Sequence, residues 1–310
     1  MRLLTACIAT LLLSTSALAA PKVITSIMPV HSIVANVMGE IGTPYLLLSG
    51  KNSEHSASLS PEQISKLGKA DVVFMIGGGL EHKLGQISGT EAVNGKKFIM
   101  LVDAPDMKAL KIREGGAFEA DDDEELPDKS DPQYGFALKY NPHVWLDPQN
   151  VKAMTKAVAI ELSKVDPEHA KTYETNATAY LSSLDQLETE IAGATKSIRG
   201  KPFIVFHDAY PYFEMRFGLN AVGSISDAAA SNPSAKRLDQ IKTKLEQTKA
   251  TCVFREPQFD TKYVNIVLED SKARQGVLDA MGYDLTPGPN AYAEILRNIA
   301  TSAKACLDGG

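Results

Sequence analysis

Six histidines stand in this chain, and three of them share a context that suits metal chemistry. His55 lies in Ser53-Glu54-His55-Ser56, after a short apolar run and Gly50. His143 lies in Asn141-Pro142-His143-Val144-Trp145-Leu146-Asp147-Pro148, beside the only tryptophan. His207 ends the apolar run Phe203–Phe206 and opens His207-Asp208-Ala209-Tyr210-Pro211. All three fall at strand-to-helix transitions or in loops before helix starts. In open α/β folds, ligands bind beyond the carboxyl ends of the strands, so the three can converge on one cleft. Imidazole is a borderline ligand that suits zinc, copper and nickel, whereas carboxylate and water suit manganese and magnesium. Three imidazoles with one carboxylate or water make a four-coordinate zinc site. Glu54 is the nearest carboxylate in sequence, and the fourth position falls to it or to water. Asp208 and Glu256 are expected to orient imidazoles rather than to ligate.

A lone histidine in a loop is more often a surface residue than a ligand, and the other three fit that plainer reading. His31 begins an amphipathic segment and is expected to pack. His82 follows Gly77-Gly78-Gly79 and neighbours Lys83. His169, beside Glu168, sits at the start of a long helix, an exposed place. Enzyme signatures are missing: there is no H-E-x-x-H, no G-x-S-x-G and no P-loop. Three histidines plus water are also the open arrangement of a zinc hydrolase. That alternative lacks an obvious general base.

The elements that must position these residues are legible as alternation. Apolar runs at Val23–Ile27, Tyr45–Leu48, Val72–Ile76, Phe98–Val102, Phe203–Phe206 and Cys252–Phe254 read as strands. Between them lie helical patterns with marked starts. Ser60-Pro61-Glu62-Gln63 is a capping box, and Asp147-Pro148 and Asp166-Pro167 repeat the device. Strand–helix alternation predicts an α/β fold of parallel sheets. From Pro167 to Ile198 the positions Tyr173, Ala177, Tyr180, Leu184, Leu187, Ile191, Ala194 and Ile198 step by four and three. They define one face of a long helix, on the order of 48 Å, that Gly200 ends.

Residues 1–19 read as a secretory signal: Arg2, an apolar stretch from Leu3 to Leu13, and Ala17-Leu18-Ala19 at the cut. The full chain carries a net charge of −6, and losing Arg2 makes it one unit more negative. Such a chain is a poor partner for nucleic acid, whose affinity rests on neutralised phosphates. Cleavage removes Cys7 and leaves Cys252 and Cys306 in an oxidising compartment, where a disulfide is the simplest reading. The roughly 290 remaining residues exceed what one core serves, so two domains are expected. Glu114–Asp131 concentrates acidic residues with Lys129 as its only base, and a disordered surface loop is the expected state. Its possible use is transient collection of cations.

Taken together, these motifs make the chain resemble the periplasmic substrate-binding proteins of ABC transporters for zinc and manganese, the ZnuA-like cluster A-I. The residues that carry the resemblance are Val23–His31, Glu54-His55-Ser56 followed by Ser60-Pro61, Asn141–Pro148, Phe206–Phe213 and Phe254–Gln258. The resemblance implies two parallel-sheet α/β lobes joined by a long rigid helix, with the metal in the interlobe cleft. It divides the chain into an N-terminal lobe 20–165, a connecting helix 166–199 and a C-terminal lobe 200–310. It implies His55, His143 and His207 as ligands, with Glu54 at a position proposed as the fourth ligand in some zinc-type members. Manganese-type relatives are glutamate-rich at the last position, so His207 favours Zn2+, with a manganese receptor as the alternative. A non-enzymatic periplasmic monomer that delivers zinc to a membrane permease is the implied role. The acidic segment 114–131 departs from the histidine-rich loop common among zinc-type relatives.

Overall fold

The computed structural model describes residues 19–49, 53–113, 116–118 and 139–309. The expected leader, up to residue 18, and most of the acidic segment lie outside them. In chain order the elements are β1 (Val23–Thr25), α1 (Met28–Met38), β2 (Tyr45–Leu46), α2 (Pro61–Leu67), β3 (Val72–Met75), α3 (His82–Ser88), β4 (Phe98–Met100) and α4 (Pro148–Val165). Then come α5 (Ala170–Ala194), β5 (Pro202–Val205), α6 (Pro211–Phe217), β6 (Asn220–Ser224), α7 (Ala235–Thr248), β7 (Cys252–Arg255), α8 (Lys262–Leu268), β8 (Arg274–Val277) and α9 (Ala291–Asp308).

The strands form two four-stranded sheets, in the orders β2-β1-β3-β4 and β6-β5-β7-β8. Every pairing is parallel. Both sheets follow the same path. The first strand of each half pairs with the second on one side and the third on the other, which creates a switch point at its carboxyl end. All six expected strands are present. β6 (Asn-Ala-Val-Gly-Ser) and β8 (Arg-Gln-Gly-Val) go beyond the expectation, because each has a single β-branched residue, a valine, and no aromatic one to mark a strand in sequence.

Of the three caps expected from the sequence, two form. Ser60 and Gln63 form the reciprocal capping box of α2, and the Asp147 side chain accepts from Gln149 N at the start of α4. Asp166 makes no such cap. Its carboxylate instead accepts from the Tyr173 hydroxyl and pairs with His169 Nδ1, so His169 is half-buried and engaged rather than simply exposed. The long helix is α5, entered and left through short 3-10 turns at Pro167–His169 and Lys196–Ile198. The stripe continues into the second turn, where Ile198 is fully buried. The α-helix itself ends earlier than Gly200, at Ala194.

α5 packs against α1 and α4 of the first half and α9 of the second. One apolar cluster runs through all of them, from Val34 and Val37 of α1 through Leu184 and Leu187 of α5 to Ile295 and Ile299 of α9. Each such aliphatic side chain contributes about 1.5–3 kcal/mol on burial, so the halves share a core. Cys252 of β7 is bonded to Cys306 of α9, which ties the last helix to the second sheet. Of the acidic segment, residues 116–118 fall among the described ones. Gly116–Phe118, its apolar island, forms a 3-10 turn. The Ala117 carbonyl accepts from Arg237, and the Arg113 guanidinium lies over the Phe118 ring. Among the described residues no helix is long and apolar enough to cross a membrane.

Candidate metal centre

The carboxyl ends of the two sheets face a common cleft, and four side chains meet there. Glu54 and His55 stand in the loop after β2. His143 follows β4 across the long connection and precedes α4, and His207 comes two residues after β5. One donor atom from each of the four lies within 4.8 Å of all the others. Nε2 of His207 is 3.1 Å from Nε2 of His143, while Oε1 of Glu54 is 3.6 Å from Nε2 of His55 and 3.9 Å from Nε2 of His143. The three imidazole centroids are 4.9–5.8 Å apart. His143, His207 and Glu54 are buried.

The rings of His143 and His207 are set by partners away from the cluster. His143 Nδ1 is 2.9 Å from Asn141 Oδ1, which also accepts from the His143 backbone N–H. The Asn141 amide in turn donates to the Asp208 carbonyl across the cleft. His207 Nδ1 is 2.5 Å from Glu256 Oε1, and Glu256 follows β7, the neighbour of β5 at the switch point. Amide and carboxylate oxygens at Nδ1 require that nitrogen to carry the proton. Nε2 is left as the bare donor pointing inward, which is how metal-binding imidazoles are oriented. Tyr283 donates to Oε2 of Glu54 at 2.9 Å, and Oε1 remains directed at the cluster. Glu54 Oε1 and His55 Nε2 are both buried without a hydrogen-bond partner, a costly state that a shared cation removes.

Burial holds His143 well below the ordinary histidine value of 6.5, reinforced by His207 and His55 beside it. His55 is lowered by burial as well, against the pull of Glu54. For His207 burial acts in the same direction, but Glu256, Glu54 and Asp208 more than offset it and leave its pKa raised. Two imidazoles kept neutral, with a third held beside carboxylates, suit a borderline dication.

The remaining expectations separate. His31 is buried on α1 with Nε2 on the Pro44 carbonyl, as a packing histidine. His82 bonds Gln86 within α3. Glu256 orients His207, as expected. Asp208 does not orient an imidazole: its carboxylate is held by Arg113, which also clasps Glu214. The guanidinium offers a charged fork to two buried acids, and that outcompetes a neutral ring. Sequence reasoning misses Asn141 as the His143 orienter, Arg113 as the Asp208 anchor and Tyr283 as the Glu54 partner. Asn141 is visible two residues before His143. Tyr283 carries no local signal, since it lies 229 positions from Glu54.

Comparison with known proteins agrees with this architecture. Residues 23–306 match the family model "ZnuA: Zinc-uptake complex component A periplasmic". The chain is 42% identical to the high-affinity zinc uptake system protein ZnuA of Brucella abortus (strain 2308), over 92% of this chain and 91% of that one. It is 33% identical to the protein of the same description from Paracoccus denitrificans, over 93% and 92%. A crystal structure of ZnuA superposes with a TM-score of 0.73 at 25% identity, covering 92% of this chain and 99% of that one. The chain belongs to the ZnuA family, the periplasmic component A of zinc-uptake complexes.

Proposed function

We propose that this protein captures Zn2+ in the periplasm with His55, His143, His207 and Glu54 and hands it to the membrane permease of an ABC transporter. The observation that carries the reading is the donor set: three imidazole nitrogens and one carboxylate oxygen, converging from four buried or half-buried side chains. Three nitrogens and one oxygen match the four-coordinate preference of zinc. Zinc–nitrogen bonds of about 2.0–2.1 Å in a tetrahedron separate two nitrogens by about 3.3 Å, close to the 3.1 Å between His143 and His207. Zinc is cargo here, not a cofactor. The zinc-uptake names of the relatives support the role, and the family supports the periplasm and the permease.

The boundaries we infer follow the same logic: lobes at 20–165 and 200–310 with the connecting helix at 166–199, acting as a monomer. The test is the affinity of the mature chain for zinc and manganese, measured by competition with chelators. Zinc bound well above manganese is the expected result. A manganese preference would overturn the assignment.

A further inference from the structure

The carboxylate of Glu54 has two oxygens, and they are used differently. Oε1 faces His55 and His143, whereas Oε2 accepts from the Tyr283 hydroxyl at 2.9 Å. Tyr283 belongs to the other half of the molecule, in the segment after β8. A dedicated turn presents it. Asp279 Oδ1 accepts from the backbone N–H groups of Met281 (3.0 Å) and Gly282 (2.8 Å), and Oδ2 accepts from that of Tyr283 (2.8 Å). Gly282 has φ +73°, and a Cβ there would meet Ile295 Cγ1 at 2.8 Å, so only glycine lets this turn close onto α9.

We propose that Tyr283 is a specificity-determining residue: by engaging Oε2 it confines Glu54 to one-oxygen ligation and keeps the site four-coordinate. A carboxylate free at both oxygens can bind a cation through both, and hard cations that take six or more oxygen-rich ligands benefit most from the extra donor. Zinc needs four donors and loses nothing by the restriction. The hydrogen bond acts by geometry and also spans the cleft. This inference rests on the reading of Glu54 as a ligand.

The test is Tyr283→Phe in the full mature chain, with Zn2+, Mn2+ and Co2+ as probes and Glu54→Gln alongside. Tyr283→Phe should cut the zinc-over-manganese preference by about tenfold or more, within the roughly 10–100-fold range of residues that orient ligands. Its Co2+ d–d absorption should weaken from the intense bands of a tetrahedral site toward those of five-coordination. Equal loss of zinc and manganese affinity with an unchanged Co2+ spectrum marks a merely structural tyrosine and overturns the proposal. If Glu54→Gln itself leaves the Co2+ spectrum unchanged, Glu54 is not a ligand and the underlying reading of the site fails instead. Should Tyr283→Phe not fold, the wild type still decides. Zinc-induced difference infrared bands that vanish in Glu54→Gln must show the wide carboxylate splitting of one-oxygen binding, and a narrow two-oxygen splitting overturns it.

Discussion

Nε2 of His143 and Nε2 of His207 face each other at 3.1 Å, each on a ring whose Nδ1 is held by an oxygen acceptor. With both rings neutral, two lone pairs point at one another. Only a proton or a metal ion between them makes the arrangement favourable. His143 resists protonation because it is buried, whereas Glu256 favours a proton on His207.

The first prediction concerns that proton. Because Glu256, Glu54 and Asp208 raise the pKa of His207, the metal-free site keeps a proton there to higher pH than a free imidazole does. Zinc must displace it, so binding releases about one proton below that pKa and weakens as the pH falls. Calorimetric titration in buffers of different ionisation enthalpy counts the protons. His207→Ala should abolish the release and lower zinc affinity by more than the roughly 100-fold at the top of the range for an outer-shell partner.

Trp145 supplies the second. It is fully buried, its ring centroid lies 5.2 Å from that of His143, and its Nε1 donates to the Ala280 carbonyl of the other half. As the only tryptophan it reports on the centre without labelling. Stoichiometric Co2+ or Cu2+ should strongly quench its emission, and excess Zn2+ should reverse this. Emission that ignores Co2+ would place the ion elsewhere. Trp145→Phe loses the reporter and the interlobe hydrogen bond, and should lower unfolding stability by about 1–3 kcal/mol.

Much of this centre is legible in the amino-acid sequence, because the histidines sit beside strong local punctuation. Pro142, Asp147 and Pro148 frame His143, and the Phe203–Phe206 run fixes where His207 emerges. Strand and helix identity follow apolar runs and caps, which is why β1, β3, β5, β7 and α5 are recoverable. The parts that fail are those decided by distant partners. β8 is a strand because β7 accepts it, despite its Arg-Gln-Gly sequence. Asp208 turns away from the imidazoles because Arg113, 95 positions earlier, reaches it first. Pairings set by packing across the two halves leave no spacing signal in the chain.

Glu81 yields a prediction independent of the metal. Its carboxylate is buried and joins the carboxyl ends of β1 and β3, accepting from Ser26 Oγ and from the backbone N–H groups of Ile76 and Gly77. Burial outweighs these bonds and pushes its pKa from 4.5 to about 7. The raised value means that the unfolded chain binds fewer protons between pH 4.5 and 7. Stability from this group is therefore complete below pH 4.5 and declines as the pH rises through 7. Glu81→Gln should gain on the wild type across that window, by at most about 3 kcal/mol. Urea unfolding at pH 5 and pH 8 measures it, and a difference independent of pH would show that Glu81 titrates normally.

The disulfide predicts a separation of stability from function. Cys252 and Cys306 close a loop with a sequence separation of 54, worth about 4 kcal/mol in the chain-entropy model. Cys252 begins β7, and Glu256 lies past the other end of the strand, about 13 Å along the chain. The Cys252→Ser/Cys306→Ser double variant should unfold at markedly lower denaturant while holding zinc within a few-fold of wild type. A large loss of zinc affinity would mean that the bond sets the position of Glu256 and, through it, His207.

The acidic segment gives the last prediction. Its start is tied down beside the centre. Arg113 clasps Asp208, the residue after His207, and Gly116–Phe118 packs near β6. Lys111 bridges to Tyr140 just before Asn141, so the stems on either side are joined without the acidic residues between them. Deleting residues 119–131 should therefore leave Arg113, the packed turn and zinc affinity at equilibrium unchanged. If the carboxylates collect cations, the deletion slows zinc capture at low metal and low ionic strength, with the difference shrinking as salt screens the charges. Stopped-flow quenching of Trp145 by Co2+ reads the capture rate, and displacement of bound Co2+ by zinc reads the equilibrium affinity. Loss of equilibrium affinity on deletion would show that the segment belongs to the site itself.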